Sequence, residues 1–187
     1  MRVSQTEMDK NHKRIVEGAS RLMRKQGIET TSVQDVMKKA KLTHGGFYRH
    51  FDSKESLVGA AVEDAFDEVV STIEESYRTL GAKDGSEKYY EHYLSEGHVK
   101  HPELGCPIAA LSMDVARSTV SVKGAFAEGF ARVVDDLAKA EDGTAEDRRA
   151  AAIRKIAMLA GAVMIARASV DKMAGEVLAA CREAGRD

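Results

Sequence analysis

The chain has 187 residues, 43% hydrophobic and 31% charged, with two prolines, no tryptophan and a formal net charge of −2. That is an ordinary water-soluble balance, long enough for one good-sized core or for a small domain fused to a larger one. Two cysteines, Cys106 and Cys181, are too few for a disulfide scaffold and fit a reducing cytosol, so a cytoplasmic location is expected. The N-terminal MRVSQTEMDKNHK lacks the apolar core of a signal peptide. The longest apolar run, Ile156 to Ala166, lies between Lys155 and Arg167 and is too short to span a bilayer, so no membrane partner is expected.

The charge is unevenly spread. Residues 1–54 carry 12 Lys/Arg against 6 Asp/Glu, whereas residues 55–187 carry 16 against 24. A small basic head on a larger acidic body is the pattern of a duplex-binding module joined to a different domain. A division at 54/55 is therefore expected. Ala, Glu, Lys, Arg and Met are abundant and β-branched residues never gather into alternating runs, so the fold class is all-α, with about nine helices.

In chain order, the first helix is predicted from about His12 to Gln26. Ile15, Ala19, Leu22 and Met23 share one face, Arg24 and other cations spread over the rest, and Gly27 is the stop. A second, short helix runs from Val33 to about Ala40, with Thr30-Thr31-Ser32 as its cap region and Asp35 favouring its start. Lys41-Leu42-Thr43 is a tight turn into a third helix, His44 to about His50. Leu42, Phe47 and Phe51 are its apolar anchors. Two short helices joined by a three-residue turn, behind an amphipathic helix, make a DNA-reading tripod. Two glycines near the start of the reading helix cost roughly 1 kcal/mol each relative to alanine. They make sense where backbone must approach bases or phosphates closely. His44, Tyr48, Arg49, His50 and Lys54 supply donors.

Ser53 caps a fourth helix, Lys54 to about Thr79, with Leu57, Ala61, Ala65 and Val69 in steps of four. Residues 82–86 read as a loop, a helical pattern resumes at Tyr89, Tyr90 and Tyr93, and 97–105 is the least regular stretch. Pro107 opens a helix to about Arg117. Further helices are predicted over 120–140, 145–169 and 171–184.

Residues 27–57, GIETTSVQDVMKKAKLTHGGFYRHFDSKESL, resemble the TetR family of one-component transcriptional regulators, and the run LTHGGFYRHF resembles one branch of it. The resemblance covers residues 12–60. It implies a homodimer that binds palindromic double-stranded operator DNA as a repressor and releases it on binding a small-molecule inducer. Carried over position by position, Thr31 and Ser32 touch phosphates with Gln34 near the groove. Thr43 caps the reading helix, and His44, Gly45 and Gly46 face bases. Tyr48, His50 and Lys54 match phosphate-binding positions, with Arg49 beside them. Lys41 departs from the family, which usually has glycine there; a non-glycine requires an αL backbone at roughly 1–2 kcal/mol.

For the body, the resemblance implies dimerisation through the last two helices. Their apolar stripes are Ile153, Ile156, Leu159, Ala160, Val163 and Met164, and Val170, Met173, Val177 and Leu178. It also implies an inducer pocket, with Tyr89, Tyr93, Met113, Phe126, Phe130 and Met158 as candidate lining; the mix of aromatics and Met suggests a largely apolar ligand. Gly105-Cys106-Pro107 places a sulfur at a helix start, where the dipole favours a thiolate. Cys106 is thus a candidate ligand contact and, in an alternative reading, the sensor of an electrophile- or redox-responsive repressor. Glu91, His92, His98, His101 and Cys106 make a poorer metal set, because Gly and Pro interrupt the stretch, and the histidines read instead as exposed loop residues. There is no nucleophile elbow, phosphate loop, HExxH or coherent acid/base pair, so no enzyme, catalytic residue, cofactor or metal is expected.

Overall fold

Side-chain caps set most helix starts. Ser4, Ser32, Ser53, Ser95, Thr119 and Thr144 each accept a hydrogen bond from the backbone N–H three residues on, satisfying donors that a first helical turn leaves open. At Ser32, Ser53 and Thr144 the third residue (Asp35, Ser56, Asp147) reaches back to the cap's own N–H, closing a capping box. In a computed structural model, which describes residues 4–184, these caps frame nine α-helices: α1 (Gln5–Gln26), α2 (Val33–Lys39), α3 (Lys54–Leu80), α4 (Ala82–Tyr93), α5 (Glu96–Lys100), α6 (Pro107–Ala116), α7 (Val120–Ala138), α8 (Ala145–Ala168) and α9 (Asp171–Ala184). Two 3₁₀ segments, His44–Arg49 and Pro102–Leu104, complete them, and the described residues contain no strand.

Three stretches differ from the sequence expectation. α1 begins seven residues early, because Ser4 caps it and brings Glu7 into its first turn. Residues 82–86 are helix rather than loop. Gly81, at φ 83°, ends α3 and turns the chain straight into α4. Gly85 then lies so close that a Cβ there would meet the Ser76 carbonyl oxygen at 2.8 Å. The 97–105 stretch holds α5 and a 3₁₀ turn, with His98 buried rather than exposed.

The long α3 is the axis. Its buried residues Leu57, Ala61, Ala65, Phe66, Val69 and Ile73 face α1, α4 and α7, so one apolar core runs unbroken from the N-terminal helices into the body. No helix among the described residues is long and apolar enough to cross a membrane.

α8 is apolar over most of its circumference, and this corrects the dimer-surface expectation. Ile156, Leu159, Ala160 and Val163 of α8, and Leu178 of α9, are buried in the chain's own core and present nothing to a partner. A second face of α8 is exposed instead, carrying Ile153 and Met164 from the expected set together with Ala157, Ile165 and Ala168. On α9, Val177 is half-buried, while Val170 and Met173 near its start are exposed.

Candidate nucleic-acid interface

The reading segment is held from behind. Leu42 N–H donates to Met37 O at 2.9 Å and Lys41 N–H to Lys38 O at 3.0 Å, which folds the end of α2 back on itself. Lys41 takes φ 58°, the one positive φ at a non-glycine among the described residues. Arg14 of α1 donates to the adjacent Ala40 carbonyl and fixes the turn from below. Thr43 then sits extended at the N-cap position but makes no side-chain cap bond, which corrects its expected capping role and leaves its hydroxyl unused.

His44–Arg49 is a 3₁₀ segment of six residues rather than an α-helix. Two low-propensity glycines and an unused cap leave little to stabilise a wider turn. Phe47 and Phe51 are buried, with ring centroids 5.8 Å apart, and His12 of α1 stacks on Phe51 at 4.7 Å. With this side anchored, Thr43, His44, Gly45, Tyr48 and Arg49 face outward, Tyr48 at 72% exposure. A Cβ built on Gly45 meets nothing within 4 Å, so packing does not require glycine there. On Gly46 it would touch only the Met37 methyl and the Thr43 hydroxyl, at ordinary contact distances.

Around this ridge, Gln34 is exposed, and Lys54 is half-buried with its Nζ 3.4 Å from Glu29 O. His50 is half-buried beside His12, ring centroids 5.8 Å apart, and burial, His12 and Arg49 together hold its pKa below the usual histidine value. Of the two phosphate contacts expected at the start of α2, one is corrected. Thr31 is fully buried and donates its hydroxyl to Gly27 O at 2.7 Å. Ser32 is exposed, but its hydroxyl donates to Asp35 Oδ2 at 2.5 Å while accepting from Asp35 N–H, so it serves the capping box. Hydrogen bonds to Ser32 hold the Asp35 carboxyl below the usual carboxylate range.

In the body, the expected pocket residues separate. A cavity of about 70 Å³ lies between α4, α8 and α9, lined by Tyr90, Leu94, Met158, Leu159 and Cys181. A second, of about 50 Å³, takes in Tyr89, Tyr93, His98 and Cys106, with Arg24 and Glu68. Met158 thus belongs to the first, and Tyr89, Tyr93 and Cys106 to the second. Phe126 and Phe130 line neither; Phe126 packs edge-on against Phe66 at 5.1 Å. Met113 is corrected outright, being 60% exposed on α6.

Cys106 is the N-cap of α6 as expected, yet it is buried, and burial pushes its thiol up from the ordinary value despite the helix start. Desolvation outweighs the dipole, and the thiolate that a sensor needs is disfavoured. His98 is no metal ligand. Its Nδ1 lies 2.6 Å from Tyr93 O and its Nε2 accepts from Cys106 N–H at 3.0 Å, which places the ring proton on Nδ1. Burial lowers its pKa to about 4. No group of His, Cys, Asp and Glu suited to a metal occurs among the described residues.

Two arginines were not singled out by sequence reasoning. Arg24, expected among the surface cations of α1, is 3% exposed. It donates to Gly105 O at 2.8 Å, to Ser20 Oγ at 3.2 Å and to Glu68 Oε2 at 2.6 Å, tying α1 to α3 and to the segment before α6. Arg167, read as the polar end of an apolar run, is half-buried and donates to the carbonyls of His98, Val99 and Ala109. Position gave one signal: Arg24 follows Met23 and lies one turn after Ser20, on the buried side of α1.

Residues 15–61 match the family model described as "Bacterial regulatory proteins, tetR family". An uncharacterised HTH-type transcriptional regulator of Bacillus subtilis, YuxN, is 35% identical over 66 residues, which are 35% of this chain and only 23% of that relative's own length. Another, Rv0196 of Mycobacterium tuberculosis, is 29% identical over 168 residues, 84% of each chain. Among solved structures, a TetR transcriptional regulator from Legionella pneumophila superposes with a TM-score of 0.77 at 20% identity, covering 98% of this chain and 96% of that one. At that identity the likeness shows the shared fold.

Proposed function

We propose, from the premise that this chain is a transcriptional regulator with the TetR family's DNA-binding head and fold, that it is a cytoplasmic repressor. Residues 1–54 are the reading head and 55–187 a dimerising, ligand-responsive body. The observation that carries this reading is the ridge at 43–49. Its apolar side is locked down by Phe47 and Phe51, while Thr43, His44, Tyr48 and Arg49 stand unengaged in solvent.

In this reading His44 and the Gly45–Gly46 backbone meet base edges in the major groove. Tyr48, Arg49, His50 and Lys54 hold phosphates, which position the head without reading sequence. One head buries too little DNA for strong discrimination, so two must act together on half-sites about 34–36 Å apart. The exposed face of α8, with Ile153, Met164 and Ile165, joined by the start of α9, is the surface we assign to the dimer. A small molecule that binds the body better in the released arrangement shifts the population away from DNA. The unused space beside Tyr89, Tyr93 and Cys106 lies where it touches Arg24 of α1, so its occupant has a direct route to the head.

Selection of bound sequences from a random duplex pool tests the reading. It predicts enrichment of an inverted repeat with half-sites one helical turn or a multiple apart, bound by a dimer. An unenriched pool, or a single unrepeated site bound by a monomer, contradicts it.

A further inference from the structure

Buried hydroxyls normally find a partner, because an unpaired polar group away from water costs free energy. Tyr89 and Tyr93 break that rule side by side. They are 5% and 1% exposed, their rings lie 5.8 Å apart, and neither hydroxyl has a hydrogen-bond partner. Both line the same cavity of about 50 Å³, whose rim carries the exposed residues Thr72, His92 and Leu104. Burial raises both phenols well above their ordinary pKa, so each keeps its O–H donor; Tyr89 has no acceptor for it, and the Tyr93 hydroxyl has only the weakly accepting Cys106 thiol beside it.

The charges around this space are unequal. Glu68, the one carboxylate in the lining, is held by Arg24 at 2.6 Å with Arg21 at 4.0 Å, so its charge is met. Arg167 is not met: its bonds go to three carbonyls, and it has no carboxylate within 4.0 Å among the described residues. Its guanidinium lies just behind the cavity wall, where a Cβ on Gly105 would come within 3.1 Å of Nη2. Glu103, on the same segment, is turned to His101 at 3.5 Å. The ring nitrogens of His98 are both occupied, so it offers the cavity neither donor nor acceptor.

We propose that this cavity takes the carboxylate head of a small organic acid, which accepts from the Tyr89 and Tyr93 hydroxyls in front of the Arg167 cation. The inference rests on the ligand-responsive reading above and adds a charged head to the largely apolar inducer expected from the sequence. The space fits a head group of a few atoms, and a short apolar tail extends past Leu104 at the rim. The larger apolar cavity beside Tyr90 is separate and lacks Tyr89 and Tyr93.

The test is calorimetric titration of the full chain with acetate, butyrate and benzoate and with their primary amides, alongside release of its selected DNA. Carboxylates should bind at least about tenfold more tightly than the matched amides. Tyr89→Phe and Tyr93→Phe should each weaken carboxylate binding about tenfold without lowering the melting temperature, since each removes a hydroxyl that the free protein leaves unpaired. Tyr90→Phe, in the other cavity, should leave binding unchanged. Equal binding of the amides, unchanged affinity in the two Phe variants, or no carboxylate binding overturns the proposal. Release of DNA by an uncharged compound in the last case would keep the ligand-responsive reading while removing this ligand class. Carboxylate binding without DNA release would do the reverse.

Discussion

The head and the body use their polar side chains in opposite directions. At 43–49 an aromatic pair faces in, while Thr43, His44, Tyr48 and Arg49 face out with nothing to bond. In the body, Tyr89 and Tyr93 line a cavity with their hydroxyls buried, and the arginines Arg24 and Arg167 are drawn in to hold carbonyls around it. On the proposed reading, the head's unspent polar groups meet a large external surface, and the body's meet a molecule small enough to enter the cavity.

The head's outward face depends on the aromatic anchors beneath it. Phe47→Ala empties a fully buried site and should cost about 3–5 kcal/mol in denaturant unfolding, abolishing DNA binding with it. A loss under about 1 kcal/mol would mean the reading segment is held by something else.

On the body's side, acid should act through His98. Its folded pKa of about 4 lies below the ordinary 6.5, so the unfolded chain takes up its proton first. The stability this neutral, doubly bonded ring provides is complete above pH 6.5 and is lost as pH falls toward 4, by about 3 kcal/mol in all. Urea unfolding across that range should show the slope in the wild type and not in His98→Gln.

Phosphate and base contacts should separate in the head. Tyr48→Phe or Lys54→Ala should weaken binding to all duplexes and lower the salt slope by about one ion, whereas His44→Ala should alter base preference by about 1–3 kcal/mol. The smallest effect belongs to the turn: Lys41→Gly relieves the positive φ and should raise stability by about 1 kcal/mol.

How much of this was legible in the sequence follows the range of the forces involved. Helix starts are local, so Ser32, Ser53 and Pro107 announced their elements from neighbouring residues. The strained backbone at Lys41 was likewise readable, because a family turn that favours glycine had lysine in it. Which face of an apolar helix meets which neighbour is set by distant chain. Ile156, Leu159 and Val163 thus looked equally suited to a partner and to the core, and they were taken inward where α8 packs on α6, α7 and α9. The same holds for Thr31, whose hydroxyl found Gly27 O, and for Met113, whose side of α6 no other element covers. The burial of Arg24 depends on Gly105 O, 81 positions away, and no local pattern contains that bond.

Gly45 isolates the central claim about the head, because its Cβ position is empty in the folded chain and any need for glycine must come from outside it. Equilibrium binding of Gly45→Ala to the selected duplex, with the melting temperature taken on the same sample, is the most direct measurement. On this reading of the head, the variant should fold at least as stably as the wild type, gaining up to about 1 kcal/mol, and should lose DNA affinity by at least about tenfold. Wild-type affinity in the stable variant would contradict it and move the reading surface elsewhere.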